Sequence, residues 1–378
     1  METLRALIRG DLSPAGYPIS TLSSVVEDKV ITGHYLHHWL DSGTSALALV
    51  LINCKLQFAH IQNPRVIIPG YCCPDLVAAA VYAGVEVLVI DIEVNDACYD
   101  LQRLEKTLNE NKNVIAIIAV NFLGIKENLS QIRTLIIDRK IKLIEDNAQW
   151  FPASEQDQDF FSDYVVFSFG RGKPLSLLGG GLLLSKEPLV DSVVESENSG
   201  SHTYQLKIHA YNILLHPHAY CFLNRAPFIN LGETRFHPLE KITAMPSNAR
   251  TLFSSNRNLY CQRTTRVADI YQQWFSDIQL LKGIGSERKG RLLRFPLLFS
   301  NQTQRDKIFK QLHAKGLGVS LMYQQELSKV DGVANKVTLL SPLVNAQSFA
   351  HRLLTLPVHA HVHPTHLQQI REIVCNNC

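Results

Sequence analysis

Along the first two thirds of the chain, short runs rich in β-branched residues alternate with stretches whose apolar positions repeat at helical spacing. Val66 to Pro69, Val85 to Asp91, Val114 to Val120, Lys142 to Glu145, Tyr164 to Phe169 and Gly181 to Ser185 read as strands. Several are continuously apolar, as strands buried on both faces of a sheet require. Between them Leu101, Leu104 and Leu108, then Leu129, Ile132, Leu135 and Ile136, recur every three or four residues, the stripe of a helix laid on a sheet. This alternation predicts an α/β fold with a mostly parallel sheet sandwiched by helices.

The texture changes near Glu195, where Ser, Asn, Gly and His cluster ahead of a stretch rich in aromatic residues and prolines, Tyr204 to Pro246. Residues 195–246 read as an excursion rather than another sheet unit. A long polar helix is predicted from about Ser247 to Phe275. Beyond it come a strand over Leu293 to Phe299, a helix with Ile308 and Leu312 closing at the C-cap glycine Gly316, a strand over Val319 to Tyr323 and a last helix over Leu367 to Val374. The expected division is a large α/β domain over residues 1–250 and a small α+β domain over 251–378.

Composition narrows the classes that remain. Of 378 residues, 46% are apolar and 19% charged, which excludes a disordered or fibrous chain. The charge sum, 37 basic minus 34 acidic residues, is +3 with no run of five like charges, so no nucleic-acid partner is expected. Met1 to Ser24 lacks the continuous apolar stretch of a secretory signal, and a cytoplasmic location is expected. Val114 to Ile125 is broken by Asn121 and falls short of the ~20 residues that span a bilayer, so no transmembrane segment is predicted. His359, His361 and His363 alternate, but no cysteine or carboxylate neighbours them in sequence, and no metal is expected. The terminal pair Cys375 and Cys378 has metal or redox spacing but sits at a chain end.

Four signals in the large domain carry chemistry together. Asp41-Ser42-Gly43-Thr44-Ser45 opens a helix, where unpaired N–H groups and the dipole make either an anion site or a simple cap. Glu145-Asp146-Asn147-Ala148-Gln149 follows an apolar strand, at the carboxyl end where open α/β sheets collect ligands. Phe167-Ser168-Phe169-Gly170-Arg171-Gly172-Lys173 sets a lysine after a buried strand; partial desolvation there would free an amine for Schiff-base chemistry. Gly179-Gly180-Gly181 permits close backbone approach at a strand entrance.

In this order and spacing, the four signals resemble the sugar-aminotransferase (DegT-type) family of fold-type I pyridoxal-phosphate enzymes. The resemblance runs from Ser42 to Ser185 and resumes, more loosely, from Ser247 through Asn258, Arg263, Arg266, Gly318 to Tyr323 and Leu356 to His359. It implies a large domain of the fold-type I class with pyridoxal 5'-phosphate as cofactor. Lys173 then matches the Schiff-base lysine and proton shuttle, and Asp146 the carboxylate that pairs with the pyridine nitrogen and keeps it protonated. Gln149 matches an amide near the ring hydroxyl, while Gly43, Thr44 and Ser168 match phosphate contacts. Where the family sets a flat side chain against the ring, the chain reads Pro69-Gly70-Tyr71-Cys72-Cys73-Pro74, which puts Cys73 at that position with Tyr71 two residues before it.

Two further departures concern the substrate. The family's Asn-x-Arg-Met signature, which reaches a partner subunit's site, is replaced by Ile242-Thr243-Ala244-Met245-Pro246, and the His after Ser-Phe by Gly170. The resemblance implies a homodimeric aminotransferase carrying an amino group from an amino-acid donor, L-glutamate, to a keto sugar or related carbonyl acceptor, with a nucleotide-linked sugar expected. A lyase or dehydratase using the same cofactor and a noncatalytic scaffold are the other readings of the same residues.

Overall fold

A computed structural model describes residues 10–23, 35–154, 156–158, 160–190, 201–224, 234–276, 278 and 281–377. The first strand, β1 (Leu36–Leu40), leads into α1 (Gly43–Gln57), β2 (Arg65–Pro69), α2 (Asp75–Ala83), β3 (Glu86–Ile90), α3 (Leu101–Glu110), β4 (Val114–Val120), α4 (Leu129–Ile136) and β5 (Lys142–Asp146). β6 (Tyr164–Ser168) and β7 (Gly181–Ser185) follow. The six strands read from the sequence are all present, within a residue or so at each end.

One sheet of eight strands results, in the order β1-β7-β6-β5-β4-β2-β3 and then a strand contributed late in the chain, β9 (Val337–Leu339). From β6 to β9 across the sheet every pair is parallel; β7 turns back against β6 and β1 against β7. Alternation along β2 explains the layers: Val66 and Ile68 pack with α1 and α2 residues such as Leu47 and Val77, while Ile67 faces Leu104 and Leu108 of α3 and Ile132 of α4. Helices thus cover both faces, as the fold class required.

The described part of the excursion folds into two helices, α5 (Ser201–Leu214) and α6 (Pro217–Asn224). The single long helix expected over Ser247 to Phe275 is instead three: α7 (Ser247–Arg250), α8 (Phe253–Cys261) and α9 (Arg266–Trp274). The second break coincides with long-range contacts of Arg263. Arg263 is drawn out of the helical path, its guanidinium on the Pro174 carbonyl and over the Tyr17 ring, and the Thr264 hydroxyl accepts the Arg266 N–H to start α9 afresh.

The C-terminal part holds β8 (Phe295–Leu298) paired antiparallel with β10 (Leu353–Leu356), α10 (Gln302–Ala314), α11 (Val344–Arg352) and α12 (Pro364–Cys375). Gly316, at φ 65°, terminates α10 as expected. Val319 to Tyr323 does not form the expected strand: Gly318 and Met322 are left-handed at φ 65° and 52°, and only Ser320 pairs, with Thr355. His359, His361 and His363 lie outside any strand; the buried His359 ring bonds the Ser13 carbonyl, and no metal-holding cluster occurs among the described residues. Cys378 and residues 195–200 and 225–233 lie outside the described residues. No described helix is long and apolar enough to cross a membrane.

The loop after β4 is pinned by two buried polar residues. Asn121 Oδ1 accepts the Glu127 N–H at 2.7 Å, and the Glu127 carboxylate accepts the N–H groups of Tyr99 and Asn128. Burial pushes the Glu127 carboxyl up from 4.5 to about 7; those amides and the Cys98 thiol oppose the rise, and Asp96, itself paired with Arg288, adds to it. A raised carboxyl contributes stability that is complete below the unfolded value and lost as pH climbs through the folded one. The melting temperature should therefore fall between about pH 5 and 8. Glu127→Gln should flatten that fall, and an unchanged pH slope in this variant would refute the assignment.

Candidate active site

The carboxyl ends of the parallel strands converge where β5 stops. Glu145 and Asp146 point to opposite faces there. Glu145 is sealed inside, accepting bonds from Asn121 Nδ2 at 2.9 Å, Asn147 Nδ2 at 3.2 Å and Ser162 Oγ at 3.2 Å. Asp146 faces the cleft, 3% exposed, with Oδ1 accepting the Ala148 N–H at 2.9 Å, a local turn that fixes its rotamer. Burial raises the Asp146 carboxyl above the usual range; the Ala148 amide and the Lys173 ammonium oppose that rise, and Asp75 adds to it.

Lys173 arrives from the loop after β6. Gly172, at φ 73°, takes the left-handed turn that brings it round, and the Lys173 N–H closes on the Gly170 carbonyl. Its ammonium also opposes the upward shift of Cys73, whose thiol burial pushes up to about 12. Lys173, Asp146, Gln149 and Cys73 share one narrow cleft with Val120, Phe122 and Tyr323. Gln149 is held rigidly in it: Nε2 donates to the Tyr323 hydroxyl at 2.9 Å, and Oε1 accepts the Leu123 N–H at 3.2 Å.

At one end of this region, backbone approaches backbone. Ser42 caps α1, its hydroxyl accepting the Ser45 N–H at 3.0 Å, so the cap reading holds for Ser42. The N–H groups of Gly43 and Thr44 open the helix beyond it, where no carbonyl of the helix can reach them. Gly43 lies against Ser168: a Cβ on it would fall 2.7 Å from the Ser168 Cβ. The glycine cluster closes the arrangement, because the Gly180 N–H donates to the Asp41 carbonyl at 2.6 Å and a Cβ on Gly181 would fall 2.3 Å from the Ser42 carbonyl oxygen. Helix-start amides, the Thr44 hydroxyl and the Ser168 hydroxyl form a donor set suited to a phosphate dianion. An amine, a buried carboxylate and a phosphate cradle in one region fit a phosphorylated pyridine aldehyde.

Tyr71 does not line the cleft. Its ring is 1% exposed, 5.5 Å from the Phe122 ring and 4.8 Å from Phe349, and its hydroxyl donates to the Tyr323 carbonyl at 2.9 Å. The aromatic walls are Phe122 and Tyr323, which the sequence reading missed as site residues. Phe122 carried a usable signal, since it follows the apolar run Val114 to Val120 at a carboxyl strand end, as Asp146 ends the neighbouring one. The segment Ile242 to Met245 lies along the outer edge of β1, with Met245 packed on Gly180.

A larger cavity of about 530 Å³ adjoins this cleft. Arg171 and Gly172 line it where Lys173 lines the cleft, and Met322 and Gln324 line it on either side of Tyr323, so the two share two walls. Tyr211 and Tyr220 of the helical excursion and Phe309 supply aromatic surface, and no carboxylate lines it among the described residues.

The residue model of the DegT/DnrJ/EryC1/StrS aminotransferase family matches residues 5–215 and 257–375. The chain is 26% identical, over 90% of its length and 89% of the relative's, to the UDP-4-amino-4,6-dideoxy-N-acetyl-beta-L-altrosamine transaminase of Campylobacter jejuni subsp. jejuni serotype O:2. Among solved structures it is similar to a DegT DnrJ EryC1 StrS aminotransferase from Brucella abortus, with TM-score 0.66 and 15% identity over 91% of this chain and 86% of that one. It is similar also to the E. coli GDP-4-keto-6-deoxy-D-mannose-3-dehydratase with bound hydrated PLP, with TM-score 0.66 and 17% identity over 95% and 99% of the two chains. At those identities the solved structures share the fold.

The contact between Gly181 and Ser42 admits no side chain. Gly181→Ala should lower stability by about 1–3 kcal/mol and weaken cofactor binding as the cradle is forced open. Thermal unfolding and a cofactor titration measure both effects, and wild-type values in the two assays would show that the close approach is dispensable.

Proposed function

The chain belongs to the DegT/DnrJ/EryC1/StrS aminotransferase family and is a pyridoxal 5'-phosphate-dependent sugar aminotransferase, and from that premise we propose the roles of its residues and the class of its substrates. The observation that carries the residue assignment is the meeting of Lys173 and Asp146 in one buried cleft beside the Gly43, Thr44 and Ser168 donors. When bound, the cofactor supplies an electrophilic carbonyl carbon and a ring that accepts the electron pair left on the substrate carbon.

The chain's own groups do the rest. The Lys173 amine holds the cofactor through that carbonyl and, once released, carries the proton to and from the substrate carbon, a positioned transfer worth roughly 10²- to 10⁴-fold. Asp146 supplies the negative charge that keeps the ring nitrogen protonated. Gly43, Thr44 and Ser168 bind the phosphate, and Gln149, fixed between Leu123 and Tyr323, presents its amide to the ring hydroxyl. Cys73 and Phe122 wall the ring off from water, with Tyr71 as the support behind Phe122.

The donor is an amino acid, L-glutamate by family resemblance, and the acceptor a keto sugar linked to a nucleotide. The UDP-linked amino sugar in the name of the Campylobacter transaminase supports the second half, and so does the larger cavity. Its volume suits a ligand well beyond an amino acid in size, and Arg171 in a lining free of carboxylates favours an anionic one. The functional unit is a homodimer in the cytoplasm, a reading supported by the family resemblance.

Cofactor-loaded protein mixed with L-glutamate should release one 2-oxoglutarate per chain as the visible spectrum of the cofactor changes. Lys173→Ala should give none while melting like the wild type, and near-normal transamination by that variant would sink the assignment. Arg171→Ala should raise KM for a nucleotide-linked keto sugar by about 10- to 100-fold, with the glutamate half-reaction little changed. Equal acceptor KM values in the two proteins would remove Arg171 from substrate binding.

A further inference from the structure

At the opposite end of β5 lies a cavity that the transamination site does not use. Lys142 begins the strand and Asp146 ends it, so roughly 13 Å of extended chain separate this cavity from the cleft. Its volume is about 500 Å³. Four cations line it, Arg133, Arg139, Lys140 and Lys142, against one carboxylate, Asp163.

The pairing within the lining leaves most of that charge unopposed. Arg133 reaches the Asp163 carboxylate at 3.1 Å and the Phe161 carbonyl at 2.7 Å, which accounts for the one anion. Arg139 is held by neutral groups only, the carbonyls of Leu135 and Leu108 and the Asn109 amide oxygen, so its guanidinium is fixed in place without being neutralised. Lys140 and Lys142 form no ion pair among the described residues. Three positive charges, one of them rigid, therefore face a common space, which favours a ligand carrying more than one negative charge.

The other wall is apolar. Phe58, at the end of α1, stands there with Ile137, which caps the C-terminus of α4 and is 72% exposed. An inorganic anion would meet the cations and leave this wall and most of the volume uncovered. A ligand with a flat apolar part and two linked phosphates covers both. We propose that this cavity binds a nucleoside diphosphate, free or as part of a larger nucleotide, at a site separate from the transamination cleft.

The probe is a fluorescent N-methylanthraniloyl ADP titrated into the full-length, cofactor-loaded protein, with inorganic pyrophosphate as competitor. The proposal expects saturable binding that Lys140→Gln/Lys142→Gln weakens at least tenfold, that rising salt weakens further, and that Arg171→Ala leaves in place. It also expects ADP to displace the probe at a concentration at least tenfold below that of pyrophosphate. The glutamate half-reaction of the double variant, which needs no nucleotide, should equal that of the wild type. Wild-type affinity in the double variant would overturn the proposal, and so would loss of all probe binding in Arg171→Ala. Equal displacement by pyrophosphate and ADP would overturn the nucleoside part. Lys140 is exposed, so Lys140→Gln alone keeps the test open should the strand-initial Lys142→Gln disturb folding. Signal lost with Arg171 reports the acceptor cavity and signal lost with the lysines reports this one, so the acceptor assignment and the present one can fail separately.

Discussion

Asp146 is a carboxylate placed at the end of a parallel strand with almost no water around it, and the rest of the site answers to that placement. An isolated buried charge costs several kcal/mol after relaxation, so a fold that keeps one there must oppose it with donors and cations. The Ala148 amide does so locally, and the Lys173 ammonium does so from the next strand's loop. Those two contributions do not cancel the burial, since the carboxyl remains raised. The remaining demand is for a further positive group, and under the proposed assignment a protonated ring nitrogen would meet it. On that assignment the carboxylate and a bound ring would stabilise each other, which is the electronic condition for drawing electrons into the ring.

Placing that carboxylate is the work of the sheet. β5 sits between β4 and β6, each parallel to it, so the carboxyl ends that carry Asn121, Asp146 and Ser168 emerge on one edge. The antiparallel return through β7 then brings Gly180 and Gly181 against Ser42, and Gly43 against Ser168. Three glycines at the contact let the start of α1 approach β6 more closely than any side chain would allow. The main-chain part of the proposed phosphate cradle therefore has its spacing set by strand pairing, and the Thr44 and Ser168 hydroxyls complete it.

The buried half of this structure was legible in the sequence. Continuous apolar runs such as Val114 to Val120 admit one interpretation, and all six strands read from them are present. Asp146 and Lys173 stood out because a strand end followed at fixed spacing by Ser168, a lysine and a glycine cluster is a local pattern. What escaped was decided by tertiary partners. β1 carries His37, His38 and Trp39, and it is a strand because β7 and the Ile242 to Met245 segment flank it. β9 is three residues on a sheet edge, with Thr338 and Leu339 exposed. The helix expected over Ser247 to Phe275 is broken by what Arg263 finds on Pro174 and Tyr17, neither of them near in sequence.

Cys73 shows how a departure in one residue is absorbed by others. A thiol stands where the family resemblance expects a flat ring, and the space it leaves is taken up by Phe122 and Tyr323, whose rings approach to 6.4 Å. The cleft between those rings and the Asp146 carboxylate is narrow. Tyr71 is fixed behind both walls, its ring packed on Phe349 and its hydroxyl donating to the Tyr323 carbonyl. Tyr323 is half-buried and follows the left-handed Met322, and one side-chain hydrogen bond, from Gln149, holds its hydroxyl. Met322 and Gln324, on either side of Tyr323, line the larger cavity. The cleft and the larger cavity thus share as a wall one short stretch of chain, Met322 to Gln324, that is neither helix nor strand.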